Sequence, residues 1–427
     1  CGAIGRPLWY RLVVSSGAAL GEDWMRLRGP GATGVSTDTG LPIHWSATSN
    51  VVWKTALPGK GASSPITLKD KIYLTAYTGY GLARPEAGDQ KDLTHHVLCL
   101  NRKDGVLIWD KTSKALLPDQ DYTRGHIDLH GYASATPVSD GESLFSFFGR
   151  SGVLAYTLDG EPLWHKTVGT NTYKLGWGSG ASPIVYGDLL IVNASIESDS
   201  LVALNTKTGQ EVWRATGIFE SWSTPLVVTL PSGKNELVVN MNGKVLGLEP
   251  TTGKQLWECE GVQDYVVPMT VADDKGVVYI SGGRGATTRA IRAGGRGDVT
   301  ATHLLWKLNR GCKVPSPLYH DGLLYWVSNM EKAACVDAKT GELHYYKRLE
   351  RGAFYGSAVM AEGRIYAVSK KRGTVVLAAG KEFKQLARNY LDDDNRFNGT
   401  PVISNSQILL RSDRFLYCIG KQGSSSH

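Results

Sequence analysis

The chain has 427 residues, with 47 Lys and Arg against 40 Asp and Glu for a formal net charge of +7. The basic residues are spread along the chain rather than run together, which excludes a nucleic-acid-binding tract. Hydrophobic residues make up 42% and charged residues 20%, a folded rather than a disordered balance. No stretch of about eighteen consecutive apolar residues offers a transmembrane helix. The 50 glycines and 12 tryptophans stand out, because glycine-rich turns between short strands with periodic aromatic residues belong to closed all-β repeat architectures.

Residues 1–22 carry an arginine pair, a weak apolar run and the small residues Ala18 and Ala19, and read either as an irregular N-terminal arm or as the remnant of an export signal. Cys1 is a candidate for lipid acylation. Residues 23–420 read as one domain, and 421–427 as a flexible polar tail.

Within that domain a proline follows a small or apolar residue at Pro65, Pro137, Pro183, Pro225, Pro268, Pro317 and Pro401, and Ala358 fills the one gap. The intervals are 72, 46, 42, 43, 49, 41 and 43 residues, the period of a four-stranded blade. Each start leads through an alternating strand such as KIYLTA to a strand such as VLCLN or LVALN. A tight turn follows, RKDG, TKTG or AKTG, in which Asp, Asn and Gly supply the backbone angles. Tryptophan closes the repeat at Trp109, Trp164, Trp213, Trp257 and Trp306, with Tyr345 or Tyr346 in the sixth repeat and Leu386 in the seventh. The eighth repeat ends before its closing strand, and the missing piece stands at the front as NVVWKTAL, with Trp53. The expectation is an all-β, eight-bladed β-propeller of four-stranded antiparallel blades, its ring closed by strand 51–57 pairing with the C-terminal blade, so that no sheet edge is left open.

Six cysteines show neither a CxxC spacing nor an adjacent pair. Cys99, Cys335 and Cys418 occupy the same place in three repeats and read as small buried hydrophobes.

The segments VALNTKTGQEVW at 202–213 and VLGLEPTTGKQLW at 245–257 resemble the pyrroloquinoline-quinone-like (PQQ-like) repeat of the family that includes quinoprotein alcohol dehydrogenases and the outer-membrane assembly lipoprotein BamB. The opening DWMRLRGPGATGVSTDTGLPIHWS resembles the start of uncharacterised PQQ-like propellers of planctomycete-type bacteria. The resemblance covers about residues 22–420. It implies an exported bacterial protein, periplasmic or attached to the cell envelope; a monomer is expected, though oligomeric state is not read from the sequence. PQQ and calcium are the cofactors it implies, but the adjacent cysteines and the calcium set of Glu, Asn and Asp found in quinoprotein dehydrogenases have no counterpart here.

In a four-stranded blade, the connection into the first strand and that between the second and third emerge on one face, where loops on a rigid scaffold carry function. On that rim the reading places Arg150, Trp177, Trp222, Tyr265, Arg284, Lys313, Tyr355, Lys370 and Arg411 as ligand-binding residues. Arginine grips carboxylates and aromatic faces stack on sugar rings, so the ligand expected is small and anionic or sugar-like. His126 and His130 are candidates for a metal or for acid/base work, against hydrogen-bonded loop structure. Glu197 and Glu220 are the carboxylate candidates for catalysis. Asp392, Asp393 and Asp394 form an acidic cluster, and Arg296-Gly297-Asp298 an adhesion-like tripeptide in what reads as a turn.

Two functions remain open at this point. One is a BamB-like envelope scaffold that presents a ligand- or protein-binding face without catalysis. The other is an enzyme of the central funnel, either a quinone-dependent sugar or alcohol oxidoreductase or a carbohydrate-active enzyme on acidic glycans using His126, His130, Arg150 and Glu197.

Overall fold

The computed structural model describes residues 22–421 except Lys174. Cys1, the rest of the expected arm up to residue 21 and the tail from 422 lie outside the described residues. Eight antiparallel sheets form an eight-bladed β-propeller. The first blade is built from Ile66–Leu68, Lys71–Thr78, Thr94–Asn101 and Leu107–Lys114, in that order from the axis outward. Its middle strands are buried and its outermost strand is half exposed. The eighth blade takes its outer strand from the front of the chain: Val51–Ala56 pairs antiparallel with Phe415–Ile419, with Trp53 opposite Cys418.

The repeat is explained by what its closing aromatic residue touches. Trp109, Trp164, Trp213, Trp257, Trp306 and Trp53 each face a small residue on the preceding strand, namely Cys99, Ala155, Ala203, Gly247, Ala290 and Cys418. The small partner makes room for the ring, which accounts for the repeated position of the buried, unpaired cysteines. Tyr345 faces Cys335 and takes the sixth place, while Ala387 faces Val376 and takes the seventh, so the aromatic position there is Ala387 and not Leu386.

The ring of one blade then lies on the tight turn of the next. A Cβ on Gly105 would sit 2.4 Å from the Trp53 ring, and one on Gly209 2.6 Å from Trp164. Only glycine permits that approach, and both residues have positive φ. The indole N–H of Trp53 also donates to Arg102 O at 3.2 Å, and that of Trp164 to Thr206 O at 2.8 Å. Trp257 departs from this pattern. Its N–H donates to Glu236 Oε2 at 2.6 Å, and the insertion before Trp306 adds a fifth strand, Gly297–Asp298, parallel to Gln255–Glu260. The adhesion-like tripeptide is therefore part of a sheet edge rather than a simple turn.

A second seam runs round the axis. In every blade but the fifth, the residue before the blade-opening proline, or before Ala358 in the seventh, offers its hydroxyl to the backbone of the preceding blade: Ser64 N–H donates to Thr136 Oγ1, Thr136 to Ser182 Oγ, and Ser182 to Thr224 Oγ1, at 2.9 to 3.0 Å. Met269, Ser316, Ser357 and Thr400 continue it to Ser64 Oγ, again at 2.9 to 3.0 Å. Blade five alone brings no hydroxyl. Its first strand, Val271–Ala272, follows Thr270, so Thr270 and not Pro268 stands at the blade start, and Met269 falls in the belt.

The segment from Glu22 to Ser46 crosses the ring. Trp24 exchanges backbone hydrogen bonds with Thr67, Met25 O accepts from Ser139, and Gly34 and Ser36 bracket Met360. These partners lie on the inner strands of blades one, two and seven. The fully buried Arg28 guanidinium donates to the carbonyls of Ala32, Thr33, Ser316 and Pro317, fixing the segment to blade six. Leu27 faces the axial cavity.

Candidate functional site

Because Leu27 and the hydroxyl belt floor it, the axial cavity, of about 350 Å³, opens towards the face that carries the variable connections. One wall is aromatic. Trp177 packs on Tyr265 with centroids 4.5 Å apart and on Trp222 at 5.1 Å, and Trp222 is fixed by its N–H to Gly178 O at 2.7 Å. The lining also includes Lys313, Asn329, Tyr355 and Asn398. Lys370 covers Tyr355 with its ammonium 3.9 Å from the ring centre, a cation–π contact that holds positive charge at the mouth. Burial lowers the Lys370 pKa, and nearby Arg396 lowers it further while Asp128 and Asp413 act the other way.

His126 and His130 stand at the two ends of a single helical turn, Ile127–Leu129, and both line this cavity. His126 is exposed, its ring edge-on to Trp177 at 5.6 Å. His130 is committed: Nε2 donates to Trp177 O at 2.7 Å and Nδ1 is paired with Ser134 Oγ. Burial lowers its pKa, and both ring nitrogens are hydrogen-bonded, so neither is left for a metal ion. His130 holds the Trp177 backbone, which leaves His126 as the exposed imidazole of the two.

The carboxylates lie elsewhere. Glu220 accepts from Tyr173 Oη at 2.7 Å and from Asn242 at 2.6 Å, and lines a separate cleft on the same face with Arg150, whose Nε donates to Thr170 O at 2.7 Å. Glu197 lies beneath that cleft, and burial pushes its carboxyl up to about 8. Asp119, unremarked in the sequence because it sits in the long connection into blade two, lines both and is pushed up to about 6 by the same cause. The set of His126, His130, Arg150 and Glu197 is thus divided between two cavities. Arg284 is out on the rim, 73% exposed and paired with Asp264 at 2.9 Å. Arg411 is buried and donates to Ser63 O at 2.8 Å, so it supports the wall from behind rather than facing solvent. Asp393 is spent on Asn395 and Tyr417.

Residues 93–302, just under half of the chain, match the family model described as outer membrane protein assembly factor BamB. The fold is that of a PQQ-like propeller. BamB from Moraxella catarrhalis superposes with a TM-score of 0.59 at 12% identity, over 88% of this chain and 99% of that one. A europium-containing methanol dehydrogenase gives 0.64 at 10% identity, over 93% and 98%. The computationally designed Ika8 protein gives 0.58 at 12%, over 87% and all of that chain. These likenesses show the architecture alone, shared as it is by an assembly factor, a dehydrogenase and a design. No curated protein sequence matches the chain.

A calcium-bound quinone needs carboxylate donors at the funnel, and among the described residues no Asp, Glu or Cys lines this cavity. Among the described residues no three His, Cys, Asp or Glu side chains gather as a metal shell. The residues present do not fit that cofactor pair.

Proposed function

We propose that the protein is a recognition propeller of the bacterial cell envelope whose axial cup binds a small, anionic, sugar-like ligand. The observation that carries this reading is the convergence on one cavity of Trp177, Trp222 and Tyr265 with Lys313 and with Tyr355, whose ring carries the Lys370 ammonium. Aromatic faces accept the apolar face of a pyranose, and the cations accept its carboxylate. The polar groups are few and convergent, the ordinary make-up of a ligand site. The envelope location and an envelope protein as a further partner rest on the likeness to BamB. No helix among the described residues is long and apolar enough to cross a membrane.

Calorimetric titration with acidic and neutral oligosaccharides tests the reading. Acidic oligomers are expected to saturate one site, with affinity falling as salt rises and lost in Lys313→Ala and Tyr265→Ala, while neutral oligomers bind weakly. Failure of every acidic oligomer to bind the folded protein overturns it. Stoichiometric binding of pyrroloquinoline quinone with calcium would overturn it in favour of the oxidoreductase.

A further inference from the structure

Apart from the cup, the same face holds a second depression. The connections into blades two, three and four surround a cleft of about 780 Å³, lined by Asp119, Asp121, Asp199 and Glu220, with Arg150 the one cation among the described residues of its lining. Beneath it a cavity of about 30 Å³ shares Asp119, Arg150 and Asn171 with the cleft. That volume holds one water molecule or one ammonium group.

Glu197 lines this small cavity and is 1% exposed. Its Oε1 is paired with Ser179 Oγ, and its Oε2 is buried with no hydrogen-bond partner among the described residues. A buried carboxyl oxygen without a partner is costly, and such a group is open to a hydrogen-bonding partner that the described residues do not supply. The acidic groups are spread along the cleft and do not gather as a metal shell. Dispersed negative charge suits an elongated ligand whose positive charges are spaced along a chain. Phe219, 44% exposed, supplies an apolar surface beside them.

We propose that this cleft binds a linear organic polyamine, one terminal ammonium entering the small cavity to donate to Glu197 and the remaining ammonium groups lying against Asp199 and Glu220. The carboxyl gives up its proton to solvent as the ammonium enters, so the charge count in the cavity is unchanged. The charged groups facing Glu197 are Asp119, which opposes that ionisation, and Arg150, which favours it.

The test is calorimetry with spermidine at pH 7 in two buffers of different ionisation enthalpy. One saturable site with net proton release is expected. E197Q is expected to abolish the proton release and weaken binding about tenfold or more, as loss of a charge-assisted hydrogen bond does. D199N, at a backbone position of positive φ that Asn tolerates, keeps the fold and weakens binding while leaving the proton release intact. Lys313→Ala, in the cup, leaves spermidine binding unchanged, which separates this cleft from the sugar-binding reading. Absence of saturable binding to the folded protein, binding without proton release, or wild-type affinity in both E197Q and D199N would each overturn the proposal.

Discussion

The backbone N–H of Thr400 donates to Ser64 Oγ at 3.0 Å, joining the last blade to the first across 336 residues of chain. Both groups are buried. With Ser64→Ala the Thr400 N–H stays dry and unpaired, and stability is expected to fall by about 1–3 kcal/mol. Urea unfolding read by tryptophan fluorescence measures the loss, and a change under about 0.5 kcal/mol, the usual range of surface substitutions, would show that the belt carries no load.

Trp257 is fully buried and its indole N–H ends on Glu236, itself 3% exposed on its side chain and paired with Arg296 at 3.4 Å. Trp257→Ala is expected to cost about 3–5 kcal/mol or more, since it leaves a cavity and deprives a buried carboxylate of a donor. Arg284→Ala, on the rim, is expected to stay within about 0.5 kcal/mol of the parent in the same assay.

Glu197 makes stability depend on pH in a definite direction. Its folded value of about 8 lies above the ordinary 4.5, so between those limits the folded state holds a proton that the unfolded state has released. Stability from this group therefore falls as pH rises from about 4.5 to about 8. Asp119, held at about 6, adds to the same trend over a narrower window. Glu197→Gln is expected to flatten the profile and to raise the melting temperature most at pH 8 and above. A variant whose melting temperature tracks the parent at every pH would show that Glu197 does not hold this proton.

Arg28 satisfies four carbonyls and is shut away from solvent. Burial lowers its pKa to about 10, so it is charged at neutral pH. Arg28→Met keeps bulk but removes the donors, and is expected to cost about 3 kcal/mol or more. Limited proteolysis reports where: cleavage between Glu22 and Ser46 should appear well before cleavage within the blades. Uniform resistance would mean that the segment is held by Trp24 and its neighbours instead.

The blades were legible because each repeats one local bargain, a large ring over a small partner and a glycine turn beneath the next ring, and repetition leaves its mark in sequence. Trp53 could be assigned to the far end of the chain because a closing strand without its own blade has one place to go. The exceptions were hidden where a contact replaces the motif. Ala387 carries no aromatic signal against Val376, and Met269 sits in the belt behind a proline displaced by two residues. The rim was readable as a list of chemistries but not as a map. Which of His130, Glu197 and Arg411 faces the cup, the cleft or the core depends on loop paths set by contacts such as His130 to Trp177 O and Arg411 to Ser63 O, and neither leaves a periodic trace. The crossing of the ring by residues 22–46 was missed for the same reason. Its only local sign is the glycine-rich turn after Trp24, where a Cβ on Gly29 would meet the indole at 2.4 Å.

That crossing segment decides how the cup can exchange its contents. With Leu27 in the lining and the segment from Glu22 to Ser46 laid across one end of the ring, a molecule bound in the cup enters and leaves past the variable connections. Traffic then passes the Lys370–Tyr355 pair and the exposed His126. A long polymer can present only an end or a side group to such a vessel, never thread it, and a second molecule must wait until the first has gone.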